Sequence, residues 1–280
     1  MEIKEQIISV KNYVTKSNLP DCDFVINPYV GCPHACKYCY ACFMKRFTNH
    51  AEKWGTFIDI KTCPNPVNTA KLKNSRVFLS SVTDCYNPLE EKYHIARDIL
   101  RQLVAADCEI TISTKSALIL RDVELLKQLK NLKVAVSINT LDEGFKNSMD
   151  RASPISERLK ALVTLYKNGI YTVLFMSPVF PGITDFKEII SASKDFVREY
   201  WFENLNLRGS YKSTVMSYIA GTRPELLPLY REIYFHGSSL YWEKLSDEIE
   251  QYCREHSVTF TNYFHHKKLV EEKKRKERLI

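Results

Sequence analysis

Glycine is scarce in this chain, 8 of 280 residues, and none of the eight is spaced as G-x-G-x-x-G or as a phosphate-cradling loop. That scarcity disfavours nucleotide binding by a Rossmann turn or a P-loop. Long apolar runs are missing as well, since no stretch approaches the ~20 residues of a membrane-spanning helix. Met1-Glu2-Ile3-Lys4-Glu5 opens no signal-peptide pattern, so the expectation is a cytoplasmic protein with no membrane partner. Internal repeats and low-complexity linkers are absent too. The 9 cysteines are odd in number and scattered outside one cluster, which argues against a disulfide framework and suits a reducing compartment.

That one cluster is Gly31-Cys32-Pro33-His34-Ala35-Cys36-Lys37-Tyr38-Cys39-Tyr40, a C-x3-C-x2-C spacing directly after the apolar run Phe24-Val25-Ile26. A loop this short can wrap a compact inorganic cube, and three thiolates ligate three of the four irons of a [4Fe-4S] cluster. The fourth iron is then free to chelate the amino and carboxylate groups of S-adenosylmethionine (SAM). An electron from the cluster would split the sulfonium-carbon bond to give a 5′-deoxyadenosyl radical. A zinc site is the competing reading; it needs a fourth ligand from Cys42, His34 or His50, and no second half-site follows at the usual interval.

At 45% apolar residues the chain can fill one large core. β-Branched runs alternate with helical patterns, which signals βα units around a parallel sheet. Strands are expected at Val25–Tyr29, Val77–Ser80, Glu109–Ser113, Lys133–Ile138, Tyr171–Met176 and Asn204–Leu207. Helices are expected over Asn87–Ala106, Leu118–Leu129 and Pro154–Asn168, the last with Ser153 as N-cap and Leu159, Leu162, Val163 and Tyr166 on one face. The expected division is an N-terminal extension (1–21), a core barrel (22–210) and a C-terminal helical region (211–280). That last region ends in the mixed-sign tail Lys267–Arg278, where much of the formal +7 charge sits and where nucleic acid is a possible partner. His265-His266 beside it reads as a solvated pair.

Four segments after strands stand out: Ser80-Ser81-Val82-Thr83-Asp84, Ser113-Thr114-Lys115-Ser116, Ser137-Ile138-Asn139 and Ser177 through Asp185. With the cysteine spacing, Arg151-Ala152-Ser153-Pro154 and Arg158, they resemble the spore photoproduct lyase-like branch of the radical SAM superfamily over roughly residues 22 to 210. The wording Asn18-Leu19-Pro20 through His50 and Trp54-Gly55-Thr56-Phe57 is most similar to the subgroup called radical SAM mobile pair protein B. The resemblance implies a partial (β/α)6 barrel, a [4Fe-4S] cluster on Cys32, Cys36 and Cys39, SAM, and an external one-electron donor. The subgroup also implies a companion radical SAM protein, and a non-catalytic partner subunit is a further alternative.

By the same resemblance Lys115 neutralises the methionine carboxylate, Ser113, Ser137 and Asn139 donate to that carboxylate or the ribose, Thr83 or Asp84 holds the ribose or ammonium group, and Tyr38 lies beside adenine. Where the lyase carries a hydrogen-donating cysteine three residues before the aspartate, this chain has Ser81, whose O–H bond is too strong to quench a carbon radical. Cys85 and Tyr40 are the nearby residues chemically able to take over, and the substrate is unidentified.

Overall fold

The computed structural model describes residues 2–264 together with Val270, Glu271, Lys273 and Arg275. Its strands are β1 (Lys4–Ser9), β2 (Val14–Lys16), β3 (Phe24–Ile26), β4 (Tyr29–Val30), β5 (Phe57–Thr62), β6 (Arg76–Leu79), β7 (Glu109–Thr114), β8 (Asn131–Ser137), β9 (Tyr171–Val179), β10 (Glu199–Asn204) and β11 (Phe260–Asn262). Its α-helices are α1 (Glu90–Tyr93), α2 (Ile95–Leu103), α3 (Val123–Leu126), α4 (Glu143–Met149), α5 (Ile155–Lys167), α6 (Phe186–Ser193), α7 (Tyr211–Thr222), α8 (Leu227–Tyr234) and α9 (Leu240–Glu255). The main sheet runs β11-β10-β9-β8-β7-β6-β3-β2, parallel throughout except where β2 closes one edge antiparallel to β3. Short helical crossovers between parallel neighbours make this the expected partial α/β barrel.

Side chains alternate strictly along these strands. Ile110, Ile112, Val134, Val136, Leu174, Met176, Tyr200 and Phe202 face the helices and are almost fully buried in one continuous core. On the opposite, concave face Ala135, Val173 and Trp201 pack with Phe78, Phe175 and Tyr263 into a separate, largely aromatic cluster that lines the barrel interior. Ser113, Ser137, Ser177 and Glu203 share that inner face by the same period of two, at the carboxyl ends of their strands. Ligands bind at this end of open parallel sheets.

Several expectations change, the first being that the strand expected over Val25–Tyr29 is two, β3 and β4, in different sheets. The sixth strand lies at Glu199–Asn204, not Asn204–Leu207, because the alternation Tyr200/Phe202 against Trp201/Glu203 fits a two-faced strand, while Leu205 and Leu207 are buried in the loop that follows. The helix expected over Asn87–Ala106 breaks at His94, which has φ 55 and separates α1 from α2. In α5 the N-cap is Pro154, and the buried face is Ile155, Arg158, Ala161, Leu162 and Leu165, with Tyr166 turned outward. The Ser153 hydroxyl accepts instead from Ala117 N at 2.9 Å.

The ends of the chain join the barrel. β1 pairs parallel with β5, which also holds β4, in a second three-stranded sheet. After α9 the chain returns as β11 beside β10, so the region read as helical adds a strand to the main sheet. His265-His266 and most of the tail from Lys267 to Arg278 lie outside the described residues. Lys273, which is described, donates to the carbonyls of Leu19 at 2.9 Å and Cys22 at 2.6 Å, tying the tail to the segment before β3.

The register of β10 is testable, because Phe202 has no exposed surface. Phe202→Ala should lower the unfolding free energy by about 3–5 kcal/mol, the usual cost of deleting a buried aromatic ring. Urea unfolding measures it; a loss below about 1 kcal/mol would mean that Phe202 does not face the core.

Candidate functional site

The cysteine loop is shaped by the backbone. At Gly31, φ is +86 and an added Cβ would stand 2.4 Å from the Phe57 carbonyl oxygen, so only glycine fits where the chain leaves β4. Two tight turns follow, Ala35 N donating to Cys32 O and Cys39 N to Cys36 O, both at 3.1 Å. Lys37 N to Met149 O at 2.9 Å and Arg151 N to His34 O at 2.8 Å clamp the loop to the end of α4. From the other side Gly55 packs so closely that a Cβ there would lie 2.7 Å from Ala35 Cβ.

Cys32, Cys36 and Cys39 line a cavity of about 1140 Å³ together with residues from the strand ends. Burial raises the pKa of all three thiols above the ordinary thiol value, making them weaker acids. The backbone N–H groups of His34 and Ala41 work against that, pointing at the Cys32 and Cys39 sulfurs respectively. The Trp54 indole N–H is likewise directed at the Cys39 sulfur, while the buried His34 Nδ1 has no hydrogen-bond partner among the described residues. Three thiols on one wall, N–H donors aimed at sulfur and one unsatisfied buried nitrogen fit a sulfur-rich cluster. The donor set does not fit a zinc site. His50 is held on both ring nitrogens by Asp59 and Glu52, the Cys42 thiol is directed at Ser210, and His34, open only at Nδ1, is not grouped with the motif thiols around one point. Among the described residues, no three His, Cys, Asp or Glu side chains are grouped to share one ion.

Asp84 is the junction between this loop and the strand ends. Its buried carboxylate accepts from His34 Nε2 at 3.1 Å, Lys115 N at 2.7 Å, Thr114 Oγ1 at 2.8 Å and Tyr86 N at 2.9 Å. Burial raises its pKa, but the His34 ring and these donors outweigh that and hold it below the ordinary value. Thr83 likewise donates its hydroxyl to Gly31 O at 2.7 Å. Both residues line the cavity, yet their polar atoms are engaged by protein.

Ser113, Lys115, Ser137 and Tyr40 are also on the cavity wall. The Lys115 ammonium donates to Ser177 O at 3.2 Å and lies 6.0 Å from the Tyr38 ring centre. The Tyr40 hydroxyl donates to Ser81 O, and its ring is 49% exposed. Three expected site residues are placed elsewhere. Tyr38 is buried edge-on against Phe180, its hydroxyl 3.0 Å from Asp150 Oδ2. Asn139 uses its amide on Pro178 O at 3.1 Å. Cys85 has no exposed surface and sits in the apolar core, away from the cavity, because the turn after β6 directs it between the sheet and the helices.

Two groups escaped the sequence reading. Asp150, after α4, receives Arg158 Nη2 at 2.9 Å, Ala152 N at 3.1 Å and the Tyr38 hydroxyl, with Lys146 Nζ at 3.7 Å. Burial raises the Asp150 pKa, and Arg158, Lys115 and Lys146 more than reverse it, so it is lowered overall. Glu203 ends β10 on the cavity wall, accepts from the Ser177 hydroxyl, and forms no ion pair among the described residues. The alternation of β10 would have exposed Glu203 had the strand been placed correctly; nothing in the sequence pairs Asp150 with Tyr38.

Comparison with known proteins gives the family and the fold. The sequence model described as the Radical SAM superfamily matches residues 26–192. An uncharacterized protein of Methanocaldococcus jannaschii is 38% identical over 214 residues, covering 75% of this chain and 82% of its own. One from Mycobacterium tuberculosis is 29% identical over 248 residues, covering 81% and 72%. Spore photoproduct lyase with bound AdoMet and dinucleoside spore photoproduct superposes with a TM-score of 0.58 at 14% identity, over 78% of this chain and 67% of the lyase. SuiB of Streptococcus suis bound to S-adenosylmethionine gives 0.53 at 13%, over 93% of this chain and half of SuiB. At these identities the two structures share the fold. None of these matches carries the finer likeness to mobile pair protein B.

Arg158→Met should cost about 3–5 kcal/mol at neutral pH, since it leaves the Asp150 carboxylate buried without its guanidinium. Arg158→Met with Asp150→Asn should recover part of that loss. The folded Asp150 pKa lies below the unfolded value of about 3.9, so its stabilisation is complete above that pH and fades as pH falls through the folded value. Urea unfolding from pH 7 downward should show the gap between wild type and Asp150→Asn closing at the acid end. A pH-independent gap would remove the charge from the account.

Proposed function

We propose, from the premise that this chain belongs to the radical SAM superfamily, that Cys32, Cys36 and Cys39 hold its [4Fe-4S] cluster and that the strand-end wall of Ser113, Lys115 and Ser137 receives SAM. The protein is an enzyme of the radical SAM class, and enzymes of this class use both groups. The observation that carries the assignment is that the three motif thiols and Lys115, far apart in sequence, line one cavity. When bound, the cluster and SAM supply a 5′-deoxyadenosyl radical able to take a hydrogen atom from a substrate.

The chain's own residues prepare that chemistry. The thiols must lose their protons to bind iron, and the N–H groups of His34 and Ala41 favour charged sulfur. Lys115 presents a fixed positive charge to a carboxylate, and Asp84 sets its backbone by accepting from its N–H. Phe78, Phe175, Trp201 and Tyr263 line the middle of the cavity with apolar surface below the strand-end site. Of the two side chains able to return a hydrogen atom, Tyr40 is on the wall and Cys85 is in the core, so the role falls to Tyr40.

Glu203, with Ser177 beside it, is placed to accept an N–H or O–H of the substrate. Nucleic acid and peptide are the two substrate classes that fit this reading. The lyase structures hold a dinucleoside and a SuiB structure holds a precursor peptide, which supports both. An external one-electron donor and a companion radical SAM protein belong to the same reading.

Alanine at Cys32, Cys36 or Cys39 should abolish cluster iron and sulfide after anaerobic reconstitution, while Cys42→Ala should retain them. Normal content in Cys36→Ala, or total loss in Cys42→Ala, would sink the ligand assignment. Lys115→Ala should keep the cluster but weaken SAM binding by about tenfold or more, the equivalent of a charge-assisted contact of about 1.5–3 kcal/mol. An unchanged Kd by equilibrium dialysis would place Lys115 outside the SAM site.

A further inference from the structure

We infer that the rim of the cavity is a binding track for single-stranded nucleic acid, with bases stacked on Phe43 and Phe47 and phosphates held by the cations between and opposite them. This names the substrate class for the site just described and rests on that reading. The track begins at the site itself, where Tyr40 lines the cavity immediately after the last cysteine of the motif. From there the 3₁₀ segment Tyr40–Phe47 carries outward three aromatic rings that the fold leaves in solvent: Tyr40 is 49%, Phe43 39% and Phe47 67% exposed. Spacings of three and four residues along such a helix put successive rings ~6–8 Å apart along its axis.

Two stretches of chain at the rim carry cations and no carboxylate of their own, although Arg223 Nη2 meets Asp142 at 3.6 Å. No Asp or Glu occurs between Asp23 and Glu52, a stretch that holds Lys37, Lys45 and Arg46, or between Glu203 and Glu225, which holds Arg208, Lys212 and Arg223. The two stretches meet where the Cys42 thiol faces Ser210. The Arg46 guanidinium lies 5.3 Å from the Phe43 ring centre and 4.8 Å from that of Phe47. Beyond the second stretch, Lys212 Nζ stands 3.8 Å from the ring centre of Phe235, itself 62% exposed. Aromatic faces interleaved with cations match a polyanion that carries flat π-faces at regular intervals. An acidic protein would satisfy the cations but leave the rings without stacking partners, so the arrangement favours the nucleic acid. Inside the cavity the sign reverses at Glu203, which would repel a phosphate and accept from a base N–H. The backbone of a bound strand therefore stays on the rim while one base enters.

The test is fluorescence anisotropy with labelled oligothymidine and oligouridine of about 12 nucleotides. It uses full-length, cluster-loaded wild type, Phe43→Ala, Phe47→Ala and Arg46→Ser, every variant retaining the basic tail. Wild type should bind at least one oligomer more tightly than the matching duplex. Each aromatic variant should bind about tenfold more weakly, and Arg46→Ser should reduce the slope of log K against log salt by about one. Iron content and SAM cleavage should be unchanged in all three. Failure of wild type to bind either oligomer, equal binding of duplex, affinity unaltered in Phe43→Ala and Phe47→Ala, or equal displacement by polyglutamate would each overturn the inference. SAM cleavage intact alongside any of these would leave the enzyme assignment standing, whereas a wild type that loads no cluster would remove the reading on which the inference rests.

Discussion

The buried carboxylate of Asp84 is the constraint on which the site depends. It collects donors from the cysteine loop (His34), from its own turn (Tyr86) and from the end of β7 (Thr114 and Lys115). A charge buried this deeply is tolerated only when several donors converge on it. Because the donors come from separate segments, satisfying the charge fixes the distance between the thiols and Lys115. Asp150 repeats the device on the opposite side of the loop, drawing Tyr38 and Arg158 together. Ser113 and Ser137 lie between these two anchors at the ends of adjacent strands. The polar site is thus held by two nearly buried charges beside the aromatic rings of the barrel interior.

How much of this was legible in the sequence follows from how local each signal is. Cysteine spacing is local, and the loop forms where the motif places it. The period-two pattern of β7, β8 and β9 is local too, since each strand shows one face to helices and the other to the barrel interior. β10 was set too late because Leu205 and Leu207 look like strand residues but are buried as a loop. β11 joins the sheet after three further helices, and its three residues carry no pattern that announces a partner.

Side-chain roles were less legible than strands. Resemblance placed Tyr38, Asn139 and Cys85 at the site, but each position is determined by a distant contact: Tyr38 by Asp150 and Phe180, Asn139 by Pro178, and Cys85 by the apolar core. Lys115, Ser113 and Ser137 were legible because strand direction alone aims them inward. Glu203 was hidden by the error in β10, and Asp150 by a partner more than a hundred positions away in the chain.

The central claim, that this chain splits SAM by itself, is tested most directly by anaerobic reconstitution, reduction with dithionite and chromatography for 5′-deoxyadenosine. The account predicts 5′-deoxyadenosine and methionine in equal amounts from wild type, and none from a chain lacking Cys36. A fully loaded, reduced wild type that binds SAM and leaves it intact would contradict the account, and would make this chain a partner that holds the cofactor for another enzyme.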